Sequence, residues 1–88
     1  MIEARPVRNT KFSIKSIGQK TLIYSTHNKA IHVLNPVAWL IWELCDGKHT
    51  IKDIERALRI NFAVEEGYDV NRAIWHTLEI FAGKGLLM

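Results

Sequence analysis

Cross-links, membrane spans and catalytic signatures are what this sequence lacks. Cys45 is its single cysteine, so no disulfide can form within the chain. Ile41, Trp42 and Leu44 lie beside it, and a thiol in such company is expected to be a buried, structural one rather than a reactive one. The start, Met1-Ile2-Glu3-Ala4-Arg5, has no apolar core of a signal peptide. The longest apolar run, Pro36 to Trp42, is far short of the roughly 20 residues that cross a bilayer. A cytoplasmic protein with no membrane partner is the expectation.

Chemistry is missing in the same way. There is no glycine-rich phosphate loop, no His-Glu-x-x-His and no Gly-x-Ser-x-Gly. His27, His32, His49 and His76 fall one to an element, and no pair has metal-ligand spacing on a helix. Glu65-Glu66 reads as a solvated loop pair, and Ser13, Ser16 and Ser25 have no base near them in sequence. No catalytic residue, metal or cofactor is expected.

What is present is enough for one small domain: 88 residues, 48% of them hydrophobic, with eight aromatics inside patterned segments. A core this small leaves room for help from a partner or a second copy, so monomer and homodimer both stay open. The net charge of +3 is uneven. Residues 1–34 carry +5 and residues 35–88 carry −2. A basic N-terminal third attracts an anionic partner, or simply keeps the protein in solution.

Residues 1–10 read as an extended arm halted at Arg5-Pro6, ahead of a domain over 11–88. Short β-type segments follow at Phe12 to Ile17, Thr21 to Ser25 and Ala30 to Leu34. Gly18-Gln19 and Thr26-His27-Asn28 mark the turns. Ile31 and Val33 alternate with His32, giving the third strand a defined face. Asn35-Pro36 caps a helix in which only Glu43 is polar as far as Cys45; such a helix should be buried all round, ended by Asp46-Gly47. Thr50 and Asp53 form a capping box, and Ile51, Ile54, Leu58 and Phe62 make one apolar face. Lys52, Glu55, Arg56 and Arg59 lie away from that face. Asp69 caps a third helix whose inward stripe is Val70, Ala73, Ile74, Thr77, Leu78 and Phe81. Gly83 and Gly85 end it, and Leu86-Leu87-Met88 is an apolar tail. The fold class is α+β: a three-stranded antiparallel sheet, then three helices, like a winged helix-turn-helix with its sheet placed first.

That likeness raises DNA binding as an alternative. The third helix has Arg72 as its clear cation beside Asp69 and Glu79, and no wing follows before Met88, so nucleic acid is a poor match. Strand addition at a sheet edge suits the scaffold better. Trp75 sits one position past the inward stripe, where it either walls a peptide groove or completes the core.

The stretch Ile31 to Gly47, Ile-His-Val-Leu-Asn-Pro-Val-Ala-Trp-Leu-Ile-Trp-Glu-Leu-Cys-Asp-Gly, resembles the signature of the PqqD family. So do the Thr-led helix at Thr50-Ile51-Lys52-Asp53-Ile54 and the closing Gly85-Leu86. The resemblance spans roughly residues 18–88. It implies a non-catalytic protein that binds the leader of a ribosomally made precursor peptide and presents it to a modifying enzyme, often a radical S-adenosylmethionine enzyme. This chain would be a free-standing version. The resemblance also implies that the leader adds as a strand beside the third strand, against the third helix. Carried over, the binding residues would be Lys29, Ala30, Ile31, His32, Val33 and Leu34, with Arg72, Trp75, His76 and Glu79.

Overall fold

A computed structural model describes residues 4–25 and 29–88. The turn read at Thr26-His27-Asn28, with His27 itself, and the first three residues lie outside the described part. The sheet is β1 (Ser13–Ile17), β2 (Lys20–Tyr24) and β3 (Ile31–Leu34), antiparallel in the order β1-β2-β3. Gly18 takes φ +60° at the first of two turn positions, which brings Ile17 opposite Lys20. Three helices follow: α1 (Pro36–Glu43), α2 (Ile51–Asn61) and α3 (Val70–Gly83).

All three helices start where their caps direct. Asn35 accepts a bond from the Ala38 N–H at 2.8 Å, with Pro36 at the first helical position. Thr50 and Asp53 form both bonds of a capping box. Asp69 accepts from the Arg72 N–H at 3.0 Å. In the turn before α2, Asp46 accepts from the Lys48 and His49 N–H groups and from the His49 ring. The His49 bond foremost holds the Asp46 carboxyl down at about 2.

The core is Ile23 and Leu34 of the sheet, Ile41 and Trp42 of α1, Ile51, Ile54 and Leu58 of α2, and Val70, Ile74, Leu78 and Phe81 of α3, with Cys45 and Leu86. Two expectations need correcting. The first helix is not buried all round: it ends at Glu43, and only Ile41 and Trp42 are buried, while Val37 is exposed. With eight residues it lies along the edge of the helical layer, one flank inward and the other beside a cavity. The Phe62 end of the α2 stripe leaves the helix and is only half-buried.

Trp42 is the hub. It is 2% exposed, and its indole N–H donates to the Leu86 carbonyl at 3.0 Å. Trp39 packs on it at 5.8 Å and Phe12 meets it edge-on at 6.1 Å. The Arg8 guanidinium lies 5.7 Å from its ring centroid and donates to the Glu43 carbonyl at 2.6 Å.

The N-terminal arm is extended and stitched to the body on both sides. Toward the α1–α2 turn, Arg8 N–H donates to the Cys45 carbonyl and Gly47 N–H donates to the Pro6 carbonyl. Toward the tail, Asn9 N–H donates to the Leu86 carbonyl and Met88 N–H to the Val7 carbonyl. Gly47 is left-handed (φ +78°), but it stands beyond the helix cap, at Leu44, and serves to dock the arm. A Cβ on it would lie 3.1 Å from the Val7 methyl Cγ2.

Two outcomes follow for denaturant melts. Trp42→Ala removes a fully packed aromatic and should cost about 3–5 kcal/mol, enough to unfold a domain of this size, whereas Trp39→Ala should leave it folded. Gly47→Ala should lower stability by about 1 kcal/mol through the left-handed backbone, with the arm displaced from Val7. A Trp42→Ala protein that melts like wild type would remove Trp42 as the hub.

Candidate functional site

The site is built from what the sheet leaves unpaired. β3 is an edge strand, and the ladder tells which of its groups are free. Ser25 N–H donates to the Ala30 carbonyl at 2.9 Å, and the register pairs Tyr24 with Ile31, Ile23 with His32, Leu22 with Val33 and Thr21 with Leu34. Hydrogen-bonded pairs alternate along an antiparallel ladder. His32 and Leu34 therefore turn their N–H and C=O groups to β2, and Ile31 and Val33 turn theirs to the open edge. Lys29, in the left-handed region at φ +56°, and Ala30 lead into the strand.

The structure settles which way the two faces of the strand turn. Ile31 and Val33 are 59% and 57% exposed, while Leu34 is buried and His32 half-buried. The apolar pair faces away from the helices, and His32 and Leu34 stand on the helix side with Ile23 and Thr21. Leu34 runs directly into α1 through Asn35 and must enter the core, and period-two alternation then sends Val33 outward.

Among the helices, between α1, α3 and the end of α2, lies a cavity of about 420 Å³ that no strand residue lines. Val37 and Ile41 of α1, Ala73 and Thr77 of α3, and Phe62 and Tyr68 around the α2–α3 loop are among its walls. The Thr77 hydroxyl is bonded to the Ala73 carbonyl at 2.9 Å. Its hydrogen is thus engaged within the helix, and the lining is largely apolar. Such a cavity takes an apolar side chain without leaving a polar group unpaired.

None of the α3 residues expected at the site lines this cavity. Ala73 and Thr77 share one flank of α3 by their i,i+4 spacing. Trp75 and Glu79, also four apart, lie on the other flank. There they line a separate cavity of about 410 Å³ with Pro6, Ile51, Leu78 and Leu87. Trp75, 44% exposed, neither completes the core nor joins the cavity between α1 and α3. Arg72 and His76 are exposed on the ridge between the flanks. Sequence reasoning missed Val37, Phe62, Tyr68, Ala73 and Thr77. The signal for two of them was there: Ala73 and Thr77 were assigned to the inward stripe, and small residues at its margin open a cleft.

Among the described residues no group of three or more His, Cys, Asp or Glu side chains is placed to hold a metal ion, and no helix is long and apolar enough to cross a membrane. Cys45 is fully buried; its thiol donates to the Ile41 carbonyl at 3.1 Å, and burial above all pushes its pKa up to about 12. It is held as a neutral thiol, the unreactive form.

An exposed strand edge is the kind of surface to which an extended peptide can add as a further strand. The comparisons give the family. The family model for coenzyme PQQ synthesis protein D (PqqD) matches residues 20–87, and the chain belongs to that family. No curated protein matches it. Among solved structures it is similar to TbiB1 in complex with the TbiA(beta) leader peptide, at 20% identity and a TM-score of 0.75, covering 92% of this chain and 93% of that one. It is also similar to lasso peptide synthetase B1 complexed with the leader peptide, at 19% identity and a TM-score of 0.78, over 97% and 99% of the two chains. These likenesses establish the shared fold of three antiparallel strands followed by three helices.

The thiol gives a direct check on the core. In the native protein, an aromatic disulfide reagent at pH 8 should label Cys45 only as fast as the domain opens, with the rate rising in denaturant. Rapid stoichiometric labelling in buffer would contradict its burial.

Proposed function

We propose that this chain binds the leader of a ribosomally made precursor peptide as a fourth strand beside β3 and holds it for a modifying enzyme, performing no chemistry itself. The observation that carries the reading is the outward-facing backbone of Ile31 and Val33 at the sheet edge. Main-chain bonds to Ile31 and Val33 supply affinity that tolerates varied sequence. The leader's inward side chains share the helix side with His32 and Leu34, and the cavity between α1 and α3 selects among them. Lys29 and Ala30 border the entry to the strand, and Arg72 and His76 border the cleft from the ridge of α3. The two leader-bound structural neighbours and the family membership support this use of the fold. A radical S-adenosylmethionine enzyme in the cytoplasm is the partner class that the family points to. Binding raises the effective concentration of the peptide at the enzyme, because the second encounter becomes intramolecular.

The test uses two prolines one residue apart, against a synthetic leader of a candidate precursor peptide. Val33→Pro removes an N–H that faces the open edge and leaves the β2–β3 bonds intact, so the protein should fold and its leader affinity should fall about tenfold. His32→Pro removes a bond to β2 and should lower stability first. Equal leader affinity in Val33→Pro and wild type would sink the strand-addition reading. Thr77→Arg, which fills the cavity with a charge, should also weaken the leader, while Trp75→Ala should change it less than twofold.

A further inference from the structure

The sheet has a second face that the helices do not cover. Pairing register places Ile17, Leu22, Tyr24, Ile31 and Val33 together on it, with Ile17 itself 54% exposed. Lys15, opposite Leu22, and Lys20, opposite Ile17, stand on the same face. All five residues of β1 are exposed, including Ile14 at 50% on the opposite face, so this strand is only partly covered by the described chain on either side. No carboxylate occurs between Ala4 and Trp42.

We propose that this outer face docks the modifying enzyme, through a surface on that enzyme with an apolar centre and a rim of Asp and Glu. The proposal rests on the peptide reading above and names the surface on which its partner sits. Contiguous apolar side chains on a sheet face, bordered by charge, mark a protein interface. Lysines with no carboxylate among them call for a partner that brings the carboxylates. A second copy fits poorly. Face-to-face association would bury Lys15 and Lys20 of both copies with nothing to pair them. Edge-to-edge pairing of β1 would set the central Lys15 against its own copy, the way edge strands guard against self-association. Nucleic acid fits poorly too, since five apolar groups to two ammonium groups is the wrong ratio for a phosphate surface. Continuity points to the enzyme: a strand added beside β3 becomes the next column of this face, so whatever docks here touches the bound peptide beside Ile31 and Val33.

The experiment measures two affinities on the full chain, for the synthetic leader and for a purified candidate radical S-adenosylmethionine peptide-modifying enzyme. Lys15→Glu with Lys20→Glu, and separately Ile17→Ser, change exposed side chains away from the β3 edge. Each should keep leader affinity within twofold and weaken the enzyme at least tenfold, and the charge reversal should also flatten the salt dependence of enzyme binding. Hydrogen exchange on wild type with the enzyme bound should slow in β1 and β2, which needs no variant. Unchanged enzyme affinity in both variants overturns the proposal. So does a wild-type dimer that Ile17→Ser dissociates, or binding of wild type to phosphatidylglycerol vesicles that the lysine reversal abolishes. A leader that fails to bind wild type, with the enzyme still sensitive to these variants, removes the peptide reading and leaves the docking face standing.

Discussion

Everything in this protein hangs on where one indole is placed. Trp42 is buried at the junction of α1, the N-terminal arm and the C-terminal tail, and its N–H has one partner, the Leu86 carbonyl. A buried indole N–H without that partner would be costly, so the tail must lie where it does. The arm follows, because its backbone bonds alternate between that tail and the α1–α2 turn. Arg8 then finds both the ring of Trp42 and the Glu43 carbonyl at the end of the helix. Segments from both ends of the described chain are locked around a single side chain.

That lock sorts the sheet into two unlike sides. The helices gather on one side, over Ile23 and Leu34, and leave the other side and both sheet edges open. An edge strand with free backbone groups is a hazard in a soluble protein unless something uses or guards it. Here β1 carries Lys15 at its centre, and β3 carries an Ile-His-Val-Leu run with no Lys, Arg, Asp or Glu. One edge is guarded and the other is inviting. The division of labour we propose follows from this asymmetry, with a peptide on the β3 edge and a protein partner on the exposed apolar face beside it.

Much of this was legible in the residues. The caps Asn35-Pro36, Thr50 with Asp53, and Asp69 are local chemistry, and local chemistry decides helix starts. The order of three strands and three helices followed from periodicity and turn signals, and the family from the spacing of Leu34-Asn35 and Asp46-Gly47. What sequence could not fix were orientations that only packing decides. The Ile31–Val33 alternation defines a face but not which way it turns; Leu34 entering the core through α1 settles that. The apolar run of α1 looks fully buried until its short length leaves Val37 beside a cavity. Trp75, one position off the stripe, could have walled the cleft between α1 and α3, but the 100° turn per residue carries it to the flank that meets Pro6 and Ile51.

The central claim is that β3 offers the backbone of alternate residues to an incoming strand. Amide hydrogen exchange, residue by residue with and without the synthetic leader, measures this directly. The account predicts that the Ile31 and Val33 amides exchange quickly in the free protein and slow markedly on binding, while those of His32 and Leu34, already bonded to β2, are slow in both states. Binding that instead protects the exposed face of α2 from Lys52 to Arg59, with Ile31 and Val33 unchanged, would contradict it.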